Sequence, residues 1–154
     1  MDFTLKNKSE IKGTHWIEFY ISEPKIKYKR WSDKSKYLEE FAHNFYTDIF
    51  DKNSRHFNYY GNTSFDKEQS IKIKEDITDR INSVDSVQTL QDLIEFGKKT
   101  SHALDLSESI REMHDAQNRQ QTEILNDIKK LGYDLVTSLV ICIKKDKMLW
   151  VLGL

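Results

Sequence analysis

The sequence holds a single cysteine, a single proline and five glycines among its 154 residues. One cysteine, Cys142, excludes an intramolecular disulfide and fits a reducing compartment. Five scattered glycines cannot build a phosphate cradle, and neither Gly-x-x-x-x-Gly-Lys nor Gly-x-Gly-x-x-Gly occurs. The Gly-x-Ser-x-Gly elbow and the His-Glu-x-x-His zinc helix are missing as well. The histidines at 15, 43, 56, 102 and 114 never fall at the short spacings of paired metal ligands. The longest apolar run, Leu139 to Ile143, is far below the ~20 residues of a spanning helix. Residues 1–8 lack the apolar stretch of a secretory signal. These absences lead us to expect a cytoplasmic protein that is no enzyme, holds no cofactor or metal and does not enter a membrane. With no linker-like tract, repeat or shift in composition, residues 1–154 read as one domain.

What is present is a core-forming composition with a very polar surface: 38% apolar residues, including 8 Phe, 7 Tyr and 3 Trp, against 32% charged. The net charge is only −1, but charge is divided along the chain. Lys25, Lys27, Lys29, Arg30, Lys34 and Lys36 cluster with Tyr28 and Trp31, and Asp33 is the one acid among them. From Glu75 to Asp115 the balance reverses, with ten acidic residues against four basic.

Periodicity predicts an α+β domain: a mainly antiparallel sheet, including a C-terminal hairpin, packed against three to four helices. Thr14 to Ser22 reads as a strand stopped by Pro24, and Lys25 to Trp31 as a lysine-studded edge strand. A helix opening at Ser32-Asp33 takes Leu38, Phe41, Ala42, Phe45, Ile49 and Phe50 as its buried stripe. His56 to Tyr60 reads as a short strand with a turn at Gly61-Asn62. Ile73, Ile77, Ile81 and Val84 predict a helix ending near Ser83, with its start open between Asp66 and Lys74. Asp85 with Gln88, and Asp105 with Glu108, have capping-box spacing. The first of these helices ends near Gly97. The second runs from Leu106 to Leu131, with Lys129, Lys130 and Gly132 as its stop. Its apolar stripe lapses from Gln117 to Gln121, so the helix either breaks near Asn118 or exposes its middle. Leu135 to Lys144 and Met148 to Leu152 read as the terminal hairpin.

Each candidate for chemistry has a plainer reading. Cys142, inside an apolar run, is a buried, inert thiol. Glu108, Glu112 and Asp115, beside His114, have the spacing of a chelating or acid–base face, yet describe a solvated helix face equally well. His56 with Arg55, Tyr59 and Tyr60 has the mix of a nuclease or nucleotide pocket, or of an ordinary aromatic strand. Two patches remain as partner surfaces. The acidic one is Glu75, Asp76, Asp79, Asp92, Glu95, Glu108, Glu112 and Asp115, suited to a basic protein. The basic one is Lys25, Lys27, Lys29, Arg30, Trp31, Lys34 and Lys36, suited to nucleic acid or simply protecting an edge.

The opening Trp16-Ile17-Glu18-Phe19-Tyr20-Ile21 strand, with the chain's size, composition and missing motifs, resembles bacterial immunity proteins. These are the neutralising partners of contact-dependent growth inhibition and other polymorphic toxins. That resemblance implies a small cytosolic inhibitor that binds a cognate toxin, commonly a nuclease, without catalysis. Two other readings stand beside it. One is a nucleic-acid-binding protein or nuclease-like enzyme using the Lys25-to-Lys36 patch. The other is a phage or regulatory accessory subunit that oligomerises.

Overall fold

The computed structural model describes the chain apart from Thr14, Lys27, Lys29, residues 102–104 and Leu154. Four strands form one antiparallel sheet: β1 (Trp16–Ser22), β2 (Lys36–Glu39), β3 (Asn62–Phe65) and β4 (Met148–Gly153), in the order β2-β1-β4-β3. Six α-helices accompany it among the described residues: α1 (Glu40–His43), α2 (Thr47–Lys52), α3 (Lys67–Ser83), α4 (Leu90–Thr100), α5 (Leu106–Asp115) and α6 (Gln121–Lys145). The protein is thus α+β, with antiparallel pairing throughout the sheet. No described helix is long and apolar enough to cross a membrane.

Alternation along the strands sorts the two faces of the sheet. Ile17, Phe19, Leu149, Val151 and Phe65 turn to one side and join Phe45, Phe50, Ile77, Leu131 and Leu135 in a single core. The opposite face carries Glu18, Tyr20 and Ser22 of β1 against Leu152, Trp150 and Met148 of β4. The chain between β1 and β2 reaches that outer face, as its contacts below show.

Several elements depart from the sequence pattern, each for a physical reason. Residues 25–31 form no strand where described. The edge strand is β2, placed within the expected Ser32-to-Phe50 helix, because Leu38 and Phe41 satisfy both a strand-end and a helical pattern. Helix then resumes in two short pieces, α1 and α2. The short strand begins after Gly61, not at His56, and residues 59–60 are a turn. Helix α4, which follows a single 3-10 turn at Val84–Ser86, is capped by Thr89 and Asp92, not by Asp85 and Gln88. It passes through Gly97 to Thr100, since a Cβ at Gly97 would lie 2.7 Å from Ile110 Cδ1 on α5. Asp105 does cap α5, accepting the Ser107 N–H at 2.9 Å. The stripe's lapse marks a true break: α5 ends at Asp115, and Asn118 takes φ 50° before α6 begins.

The largest correction is at the C-terminus. Helix α6 runs through Gly132 to Lys145, and the hairpin becomes a helix followed by one strand. Leu131, Leu135, Leu139 and Cys142 recur at helical spacing and are buried, while Ile141 faces solvent. The two-faced apolar run was therefore one helical stripe. Asp146, at φ 52°, ends the helix, and its neighbours Lys144 and Lys145 supply the cations that suit a helix C-terminus. Cys142 is buried, and burial pushes its thiol up to about 11. The helix expected from the isoleucine spacing is α3, with Asp66 and Gln69 forming a reciprocal cap.

One buried group makes stability pH-dependent. His43 is enclosed by Phe19, Phe50 and Tyr59, its ring 5.5 Å from that of Phe50. Thr47 Oγ1 donates to the His43 carbonyl at 3.2 Å and lies 3.1 Å from Nδ1, while Nε2 has no partner among the described residues. Burial lowers the His43 pKa from 6.5 to about 3. The unfolded chain therefore binds a proton between those values and the folded chain does not. Stability from this group is complete above pH 6.5 and falls as pH drops toward 3. Going from pH 7.5 to pH 5, the wild type should lose about 2 kcal/mol more than His43→Phe. Urea unfolding at the two pH values measures the difference.

Candidate partner-binding surface

The outer sheet face gains its cover from one buried carboxylate. Glu18 is fully buried although it sits in an otherwise apolar strand. Its Oε2 accepts the Trp31 N–H at 2.9 Å. Its Oε1 accepts the Ser32 N–H at 3.1 Å and the Ser35 hydroxyl at 2.5 Å. Tyr37 Oη, 3.2 Å from Oε1 and 3.0 Å from the Ser32 carbonyl, shares its one proton between them. Burial, followed by the Glu18 charge, raises the Tyr37 pKa, so the phenol stays a donor. The N–H groups of Trp31, at the end of the expected edge strand, and of Ser32 thus go to a side chain instead of a ladder.

This knot positions the basic cluster. Trp31 is held at φ 57°, a left-handed conformation that costs a non-glycine residue ~1–2 kcal/mol. Its ring stacks on Tyr37 at 5.8 Å and remains 37% exposed. Tyr28 packs on Trp150 of β4 at 4.8 Å and accepts from the Asn62 amide. Arg30 donates to Asn62 Oδ1 at 2.9 Å, and Lys36 to Asn7 Oδ1 at 2.7 Å. Lys25, Ile26, Arg30, Lys34 and Lys36 are exposed. Lys27 and Lys29 of the expected patch lie outside the described residues, as does His102. Trp150 is half-covered by Tyr28 and donates to Ser22 Oγ at 3.1 Å, so it is not a bare hairpin face.

The eight acidic candidates are spread over α3, α4 and α5. Asp76 is half-buried, accepting from Asn53 at 2.6 Å and pairing with Lys52 at 2.8 Å. Asp92 caps α4, and its hydrogen bonds with Thr89 lower its pKa. Glu95 pairs with Lys98 at 2.9 Å, and Asp115 lies 2.8 Å from His114 Nδ1. Glu75, Asp79, Glu108 and Glu112 are exposed without an ion pair among the described residues. Arg80, one of the four nearby cations, is directed inward to Asp48 at 2.6 Å and to the Phe45 carbonyl at 2.7 Å. No three His, Cys, Asp or Glu side chains converge to hold a metal ion among the described residues.

The His56 group divides. Arg55 and His56 line an open cleft of about 330 Å³ beside β3, with Asn62, Ser64, Asp66 and Gln69. Tyr59 turns away, accepting from Asn44 at 2.7 Å, and Tyr60 is 69% exposed. Glu18 and Asn62, the residues that organise the surface, were not singled out by sequence reasoning. The signal for Glu18 was available: it is the only charge in its strand. Compared with protein families, characterised proteins and solved structures, the chain matches none.

Proposed function

We propose that this chain is a protein-binding inhibitor of the bacterial immunity type, acting in the cytoplasm through the surface centred on Trp31. One observation carries the reading. A buried carboxylate with four donors holds an exposed tryptophan in a strained backbone conformation, among arginine, lysine and tyrosine. Strain of this kind persists where surroundings over-determine it, and concentrates at functional sites. Tryptophan, tyrosine and arginine are the residues that dominate binding energy at protein interfaces. The exposed lysines and Arg30 suit a partner surface rich in carboxylates.

The same composition brings nucleic acid to mind, but the aromatic faces argue for protein. Bases need open rings to stack on. Tyr28 is already packed on Trp150, and Trp31 has one face on Tyr37.

Coexpression tests the proposal. If a toxin-like domain is encoded beside this protein, cells producing it should grow when the wild-type chain is present, and the lack of any such domain counts against the proposal. Trp31→Ala should bind that domain about 30-fold more weakly, the loss of ~2 kcal/mol typical of a hot-spot residue. Failure to protect, together with retention on single-stranded DNA that falls steeply with salt, would overturn it in favour of nucleic-acid binding.

A further inference from the structure

The two edges of the sheet are treated differently. At the β2 edge the chain closes the sheet on itself. Tyr37 donates its N–H to the Lys6 carbonyl at 2.9 Å, and Lys6 returns the bond at 2.8 Å. At the β3 edge the register shows which groups are left. Gly153 donates to the Gly61 carbonyl at 2.8 Å, so Gly61 and Gly153 are a hydrogen-bonded pair. Bonded pairs recur every second residue in an antiparallel ladder. Thr63 and Phe65, opposite Val151 and Leu149, therefore direct their backbone groups into the sheet. Asn62 and Ser64, opposite Leu152 and Trp150, direct theirs outward. The same parity rule places the outward groups of β2 at Tyr37, where the bonds to Lys6 are found. No backbone partner meets the outward groups of Asn62 or Ser64 among the described residues.

Those groups open onto the Arg55–His56 cleft. Its charge is lopsided in availability. Arg55 makes no hydrogen bond or ion pair among the described residues. Asp66, the one carboxylate lining that cleft among the described residues, has its Oδ1 directed at the helix α3 N-terminus, where it accepts the Gln69 N–H at 2.9 Å. On the other flank Asn62 carries Arg30, so the β3 edge is continuous with the Trp31 surface and lies between two guanidinium groups. A single-residue strand shift is not needed to reach either: both flank the same two outward residues.

From this juxtaposition we infer that the β3 edge receives an extended segment of the partner protein as a fifth strand. The segment's backbone pairs with Asn62 and Ser64, and its acidic side chains meet Arg55 and Arg30. The inference rests on the protein-binding reading and gives it a mode, strand addition, in which main-chain bonds supply affinity and flanking side chains supply selection. The shortness of β3, four residues of largely polar character, limits pairing with unselected strands.

Amide hydrogen exchange followed by NMR tests the inference without the toxin-like partner. The probe is a short synthetic peptide alternating valine and glutamate, at millimolar concentration. Exchange at Asn62 and Ser64 should slow by about tenfold or more, with Thr63 and Phe65 unchanged. The matching valine–lysine peptide should have no effect, and Arg55→Glu should remove the response. Ser64→Pro deletes an outward N–H that the β4 ladder does not use, so it should abolish peptide protection while Thr63 and Phe65 stay protected. No slowing, or equal slowing by the lysine peptide, overturns the inference. So does slow exchange at both amides that scales with protein concentration alone, because the edge is then filled by a second copy. If Ser64→Pro leaves toxin-domain binding unchanged while Trp31→Ala weakens it, strand addition fails and the proposed function stands. If the acidic peptide pairs but no toxin-like domain binds, the reverse holds.

Discussion

Replacing Glu18 with alanine should lower the unfolding free energy by ~3 kcal/mol or more, and it should do so by releasing the β1–β2 loop. The carboxylate is fully buried and accepts from Trp31, Ser32, Ser35 and Tyr37. Alanine leaves two backbone N–H groups and the Ser35 hydroxyl without their acceptor. Each such group costs ~1–3 kcal/mol when it stays buried. The loop escapes part of that cost by moving to water, which frees Trp31 from its left-handed conformation. Glu18→Gln separates charge from shape. One oxygen still takes the Ser32, Ser35 and Tyr37 donors, but the amide nitrogen then faces the Trp31 N–H. An intermediate loss of ~2 kcal/mol is expected, with Trp31 and Ser32 amides the first to exchange. Chemical denaturation gives the free energies. A Glu18→Ala protein as stable as wild type, with Trp31 fluorescence unchanged, would contradict the role assigned to this residue.

Gly132→Val should be at least as damaging, at ~3–4 kcal/mol, for a reason that lies in the core. A Cβ at Gly132 would sit 2.5 Å from Tyr46 Oη and 2.7 Å from Ile81 Cγ1. Tyr46 is fully buried and donates to the Ile128 carbonyl at 2.7 Å, one turn earlier on the same helix. Ile81 belongs to α3, so the missing side chain is what lets α3 and α6 approach. Gly132→Ala gains ~1 kcal/mol of helix propensity but still meets the hydroxyl, and a net loss is expected. Tyr46→Phe alone should cost ~1 kcal/mol for the lost bond to Ile128. Combined with Gly132→Ala it should cost less than the sum, because the atom in the way is gone. Additive losses would show that the hydroxyl is not the obstacle.

Gly132 also shows where the sequence misleads. Lys129, Lys130 and Gly132 together have the chemistry of a helix stop, yet the glycine is required by a neighbouring helix that is invisible in the linear pattern. The run from Leu139 to Ile143 posed the related problem that a short apolar stretch fits a buried strand or a helical stripe. Only the extension back through Leu135 and Leu131 decides it. Where periodicity was long, the reading held: Ile73, Ile77, Ile81 and Val84 are all buried on α3 and the turn that follows it. The lapse of the stripe at Gln117 to Gln121 marked the α5–α6 break, since helices without a buried face have nothing to hold them in register.

The candidate surface was legible only in its residue types: the Lys25-to-Lys36 cluster suggested nucleic acid or a charge-protected edge, the acidic helices suggested a basic protein partner, and alternation of lysine with apolar residues suggested a strand. No strand forms where residues 25–31 are described, and at their end the Trp31 N–H goes to Glu18, thirteen positions away and beyond the reach of a local pattern. The β3 edge could not be read at all, because its outward groups depend on pairing with the last strand of the chain.

The measurement that bears most directly on the proposed surface is the affinity of this protein for the partner proposed above, compared between two sets of variants by calorimetry. Trp31→Ala and Glu18→Gln should weaken binding by about 30-fold or more, the scale of a hot-spot loss. Glu108→Lys and Glu112→Lys on α5 should leave it nearly unchanged. The opposite pattern, with binding lost on α5 and kept by Trp31→Ala, would contradict the account and place the partner on the acidic helices.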